Sequence, residues 1–174
     1  MPSTLRTVPI NTVIDRLMQQ AEAAKEINTF RVSRELHCTA ASFAVEMGAS
    51  KSKIDSLMRY YTDRLALSLL NPYLCLTVLA PKASRKAREA ALQAIIAAVY
   101  CHYSYAENFA KKYLNRRLNE AEVMNIIDGY CRGEASSDVE RGLINWAAKI
   151  SPELAIAARK KITKRNEASR NLFD

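Results

Sequence analysis

Residues 50–69 read SKSKIDSLMRYYTDRLALSL, and within them Ile54, Leu57, Met58, Tyr61, Leu65 and Leu69 recur at steps of three and four. That period collects the six apolar side chains on one side of an α-helix; a strand would need strict alternation. Ser50 stands where a helix cap is wanted, because its hydroxyl can accept from an otherwise unsatisfied amide of the first turn. The stretch is the strongest periodic signal in the chain, and it points to helices throughout.

Working outward, the same grammar recurs. Residues 10–26 carry Val13, Leu17, Ala21 and Ala24 on one stripe, with Asn11 as the expected cap. A second helix is expected after Thr29, with Phe30 and Val32 inward, ending near His37. Thr39 is expected to cap a short third helix to Met47, and Gly48 to stop it. Downstream, Asn71-Pro72 ends the periodic stretch, because proline disfavours the α conformation in the residue before it. Residues 73–80 are nearly all apolar and read equally as buried helix or strand. Pro81 closes them. A long helix is expected from Ser84 to about Leu118, its apolar positions nearly encircling it between Ala90 and Val99. Asn119 with Glu122 makes a capping box for the next helix, and Gly133 stops it. Ser137 with Glu140 repeats the device, and Ser151-Pro152 opens a last helix.

Composition agrees. Four glycines and five prolines in 174 residues are too few for a many-stranded fold with a turn every ten residues. Hydrophobic residues at 49% and charged residues at 25% are an ordinary globular balance, which excludes global disorder. The expected architecture is all-α: a single compact bundle of about eight or nine helices over residues 1–174. Residues 170–174 are expected to form a mobile end. No secretory signal is read in residues 1–12. Residues 65–80 are interrupted by Asn71-Pro72 and fall short of a membrane span. Cys38, Cys75, Cys101 and Cys131 are widely spaced, which reads as reduced, buried thiols in a cytoplasmic protein.

The chain carries 26 Lys and Arg against 18 Asp and Glu, net +8, which favours an acidic partner. The excess is concentrated. Residues 81–117 sum to +6 and residues 159–174 to +4, whereas residues 1–80 sum to only +2 and residues 118–158 to −4. The clusters are Lys82, Arg85, Lys86 and Arg88; Lys111, Lys112, Arg116 and Arg117; and Arg159, Lys160, Lys161, Lys164 and Arg165. The last two sit late in expected helices, where cations complement the dipole. The first sits at a helix start, where the dipole disfavours cations. Lys82, Arg85, Lys86 and Arg88 are therefore the candidate phosphate or partner patch.

Residues 40–59, AASFAVEMGASKSKIDSLMR, resemble the helix-turn-helix motif of many repressors and activators. Ala44 stands where that motif has a small residue at the helix crossing, Gly48 where it has the turn glycine, and Ile54 where an aliphatic residue packs the second helix. Phe43, Met47, Ala49 and Leu57 fill the supporting apolar positions. The resemblance covers a subregion of about residues 30–62. It implies a sequence-specific duplex DNA-binding protein, a transcriptional regulator acting as a homodimer, whose second helix lies in the major groove. Ser50, Lys51, Ser52, Lys53, Asp55, Ser56 and Arg59 are the implied DNA-facing residues. The surplus of apolar helix surface between Leu65 and Val99 is the expected dimer interface. The competing reading is a helical interaction module (an adaptor, effector or virion component) whose basic patches meet an acidic protein.

Enzymatic chemistry is not expected. The chain has no Gly-rich phosphate loop and no Gly-x-Ser-x-Gly elbow. His37-Cys38 and Cys101-His102 are neighbours in sequence, but adjacent helical residues point about 100° apart and rarely reach one zinc ion. No metal or cofactor is expected. Tyr105, Phe109 and Tyr113 follow a four-residue step and read as a packing stripe; with Tyr100 and Tyr103 they also flank a basic cluster, an arrangement that can stack on unpaired bases.

Overall fold

The computed structural model describes residues 8–65, 72–98, 103–132 and 137–170. Every regular element among them is helical, and the all-α expectation holds: α1 (Ile10–Glu26), α2 (Phe30–Glu46), α3 (Lys51–Thr62), α4 (Pro72–Leu79), α5 (Arg85–Ala97), α6 (Tyr103–Phe109) with a π-helical turn (Ala110–Leu114), α7 (Glu120–Arg132), α8 (Ser137–Ala148) and α9 (Pro152–Arg170). Where the sequence suggested one bundle, the backbone contacts gather into two compact units, Met1–Ala91 and Leu92–Asp174, the division falling within α5.

In the first unit, α1 and α2 form the closest helix pair. Ala21, Ala24, Ala40, Ala41 and Ala44 are buried, and such small residues let helix backbones approach. Residues 30–46 are one continuous helix, not two. Thr39 does not cap a new helix because its hydroxyl donates back to the Glu35 carbonyl at 2.8 Å, a bond that helical backbone permits. Gly48 ends the run with φ +67°, the left-handed geometry that glycine adopts without a Cβ penalty. Ser50 caps α3, accepting from the Lys53 amide at 3.3 Å. The α3 stripe is buried at Ile54, Leu57, Met58 and Tyr61, but the helix stops at Thr62 and a turn follows to Leu65. The expected extension to Leu69, and Asn71 with it, lies outside the described residues.

Residues 73–79 are helical and not strand; within them the Thr77 hydroxyl folds back onto the Leu74 carbonyl at 2.8 Å. Cys75, Leu76 and Leu79 of this α4 are fully buried. Much of the apolar surface assigned to a dimer interface is thus buried within the chain itself, at Leu65, Leu76, Leu79, Leu92, Ile95 and Ile96. Ala90 and Ala97 are exposed, so α5 buries one face and is not encircled.

The expected long helix from Ser84 is interrupted. Helix α5 stops at Ala97, α6 begins at Tyr103, and the π-helical turn ends at Asn115, whose φ of +53° cannot continue a right-handed helix. In the second unit, Phe109, Val123, Ile127, Leu143, Ala147 and Ala158 form the buried centre. The capping box that opens α7 is reciprocal: Glu122 N–H donates to Asn119 Oδ1 at 2.9 Å and Asn119 N–H donates to Glu122 Oε2 at 3.0 Å. Ser151 caps α9 by accepting from the Leu154 amide at 3.2 Å. The Ser137 side chain lies outside the described residues; Glu140 takes Arg165 and Asn166 of α9, so its carboxylate ties two helices together. Gly133 and residues 171–174 lie outside the described residues.

Candidate nucleic-acid interface

The seven DNA-facing residues implied by the motif do not all face outward. Lys51, Ser52, Ser56 and Arg59 are exposed along α3. Ser50 is exposed too, but its hydroxyl is engaged in the cap. Lys53 turns sideways and pairs with Asp15 of α1, leaving only 20% of its side chain exposed. Asp55 is half-buried, and its carboxylate accepts from the Ser84 amide at 2.8 Å. Lys53 and Asp55 are corrected accordingly: both fasten α3 to the rest of the first unit.

The Asp55 bond has a geometric consequence. Lys51, Asp55 and Arg59 are spaced by four residues and therefore share one stripe of α3. Ser84 opens α5, its hydroxyl accepting from the Ala87 amide at 3.2 Å. Fastening Ser84 to the middle of that stripe sets Lys82, Arg85 and Lys86, all exposed, alongside Lys51 and Arg59. Two segments that stand some thirty residues apart in sequence are thereby joined in space, each with exposed cations. Arg88 contributes less: it is half-buried, and its Nε is buried without an acceptor among the described residues. Arg85 also approaches Glu89 at 4.0 Å, a distance at which an exposed pair is worth little.

Behind this surface, a polar cluster fixes the tilt of α3. Lys53 meets Asp15 and Tyr60 meets Glu22, both separated by 38 residues in sequence, so α3 runs alongside α1 in the same direction. Tyr61 Oη donates to the His37 carbonyl at 3.1 Å, reaching α2. Arg64 lies 3.6 Å over the Tyr60 ring, a cation–π contact. His37 is fully buried; burial holds its pKa below the ordinary value, although Glu22 pulls it the other way. Burial pushes the Glu22 carboxyl up, but the Tyr60 hydrogen bond together with Lys25, His37 and Arg64 outweighs it and holds Glu22 below its usual range.

The same contacts describe how the motif is used. Ala44 is buried and Gly48 has positive φ, as the helix-turn-helix resemblance implies. Helices α2 and α3 touch each other little directly; both pack on α4, and a hydrogen bond links them beyond the turn. The Tyr61–His37 bond joins residues 24 apart that straddle the turn, each about 15–20 Å from it along its helix at about 1.5 Å per residue. Helices opening at the 90–120° of a groove-reading pair would by then stand about 18 Å or more apart, beyond the reach of one tyrosine. Helix α3 shows Lys51, Ser52, Ser56 and Arg59 on its exposed side.

The other basic clusters are partly neutralised. Arg116 makes a two-pronged ion pair with Glu122, Lys161 meets Asp128 and Arg165 meets Glu140. Among the described residues no group of three or more His, Cys, Asp and Glu side chains is placed to hold a metal ion; Cys101 and His102 lie outside them. Cys38 and Cys131 are half-exposed where buried thiols were expected, and Cys75 is buried. No described helix is long and apolar enough to cross a membrane. Comparison with known protein families, curated proteins and solved structures finds no match to this chain.

Proposed function

We propose that the first unit is a duplex DNA-binding module whose affinity comes mainly from phosphate contacts. The observation that carries this reading is the Asp55–Ser84 bond, because it joins the exposed cations of α3 to those at the start of α5. Sequence alone left the groove-facing helix only modestly basic and the stronger basic patch elsewhere; together they supply five exposed cations, Lys51, Arg59, Lys82, Arg85 and Lys86. A cationic face of this kind suits the negative, regularly spaced phosphates of a duplex. Ser52 and Ser56, between Lys51 and Arg59, are the side chains left to meet base edges, so sequence discrimination rests on few contacts. A regulator acting as a dimer on paired half-sites in a bacterial cytoplasm is the fuller form of the same proposal.

The test is fluorescence anisotropy with a labelled random duplex across a salt series. Five phosphate contacts give a slope of log K against log salt of about −4.5, or roughly a 500-fold loss of affinity between 50 and 200 mM salt. Replacing Lys51 and Arg59 by Ala brings the slope to about −2.7, and Lys53→Ala leaves it unchanged. Salt-independent binding, or a slope that ignores Lys51→Ala with Arg59→Ala, refutes the proposal and favours an acidic protein partner. Sedimentation of the complex counts the copies bound.

A further inference from the structure

The second unit contains a half-enclosed cavity of about 860 Å³ between the α6–π-turn segment and α8. Ligand sites for small molecules commonly span roughly 300–1,000 Å³, so this one has room for a cofactor-sized guest. Its lining is divided. Trp146, only 6% exposed, and Tyr103 stack face to face at 4.8 Å between centroids with an interplanar angle of 26°, so one ring covers the other and Tyr103 is the more exposed of the two. Gly142 also lines the cavity, where a Cβ would be in ordinary contact with Tyr103 Oη at 3.6 Å.

The charged lining is strongly one-sided. Its one carboxylate, Glu107, is engaged by the Trp146 indole N–H at 2.9 Å. Arg116 is committed to Glu122. Lys111, Arg117 and Lys149 are exposed at the cavity and form no ion pair among the described residues. The backbone that presents Lys111 and Arg117 is unusual, a π-helical turn closed by Asn115 at φ +53°. Both features carry a conformational cost and recur at functional sites. A half-exposed aromatic ring beside unpaired cations suits a guest that is planar and anionic at once.

We infer that this cavity binds a mononucleotide, its base against the Tyr103 ring that backs onto Trp146 and its phosphate among Lys111, Arg117 and Lys149. Neither half of the guest suffices, since stacking on an exposed aromatic and a single ion pair are each weak in water. The inference does not rest on the DNA-binding proposal, and a different part of the chain carries it.

Trp146 is the chain's one tryptophan, so intrinsic fluorescence reports this cavity directly. The full chain is titrated with AMP, adenosine and inorganic phosphate. AMP should change the emission saturably, with adenosine and phosphate each at least about tenfold weaker. Arg117→Ala with Lys149→Ala should weaken AMP at least about tenfold without moving the melting temperature, both side chains being exposed. Equal affinity for AMP and adenosine overturns the phosphate assignment. No saturable change at millimolar AMP overturns the site. An oligo(dA) strand that binds more tightly than AMP in proportion to its length also overturns it, in favour of a single-strand track.

Discussion

Glu122 is the most heavily used carboxylate in the second unit, and removing its charge gives a sharp test of how that unit holds together. Its side chain is only 6% exposed. Oε1 accepts from Gln93 Nε2 and Arg116 Nη2, each at 2.8 Å, and Oε2 accepts from Arg116 Nη1 at 2.7 Å and the Asn119 amide at 3.0 Å. Glu122→Gln preserves the shape but turns one acceptor into a donor. Whichever way the amide faces, one Arg116 bond and one neutral bond are lost. A bond to a charged group is worth about 1.5–3 kcal/mol and a neutral one about 1 kcal/mol. Arg116 keeps 28% exposure and can rehydrate, which selects the low end of the first range. The expected loss is about 2.5 kcal/mol. That lowers the melting temperature by about 5–10 °C if the chain unfolds in one transition, or about 10–20 °C if the second unit melts alone.

The pH dependence adds a second, independent reading. The Arg116 hydrogen bonds, helped by the Asn119 amide and Gln93 against the opposing effect of burial, hold the Glu122 pKa below its ordinary 4.5. A depressed carboxyl pKa contributes stability that is present above the unfolded value and lost as pH falls through the folded one. The gap between wild type and Glu122→Gln should therefore be full at pH 7 and shrink below about pH 4.5, as calorimetry at several pH values would show. A melting shift under about 2 °C, or a gap that is the same at pH 3 as at pH 7, refutes the reasoning.

Two further outcomes are expected in the first unit. Gly48→Ala should cost about 1–2 kcal/mol of unfolding free energy from left-handed backbone strain alone, because a Cβ at this position meets nothing within 4 Å; urea titration showing no loss would mean that the turn is not held at positive φ. Cys38 Sγ lies 3.9 Å from Cys75 Sγ, and hydrogen bonding from Cys75, aided by Arg34 against burial, lowers the Cys38 thiol to about 7 while Cys75 is pushed up. Iodoacetamide should thus alkylate Cys38 ahead of Cys75, at a rate rising through about pH 7. Mass spectrometry finding Cys75 modified first, or a midpoint near the ordinary thiol value, would overturn that assignment.

Local chemistry was legible before any coordinates. The spacing of Ile54, Leu57, Met58 and Tyr61 named the buried side of α3, and Ser50, Gly48, Asn119 with Glu122, and Ser151 acted as caps and stops where the sequence put them. These are short-range interactions, complete within a turn or two of chain, so sequence spacing nearly fixes their geometry. Where local rules offered two answers, the sequence misled. Thr39 can cap a helix or bond back within one, and only the continuity of α2 against α1 chose the second. Lys53 and Asp55 stand among exposed neighbours in sequence, yet Asp15 and Ser84, far away along the chain, turn them inward.

What the sequence by itself determined is the helical class, the main boundaries and the total of positive charge. Tertiary structure decided where that charge acts. The net charge of α3 is modest, and no periodicity predicts that a single carboxylate will fasten the start of α5 to its middle. The same holds in the second unit, where Tyr103 and Trp146 are 43 positions apart and stack on one another only because α6 and α8 come together. Secondary structure answers to neighbours in sequence, whereas surfaces and cavities answer to neighbours in space.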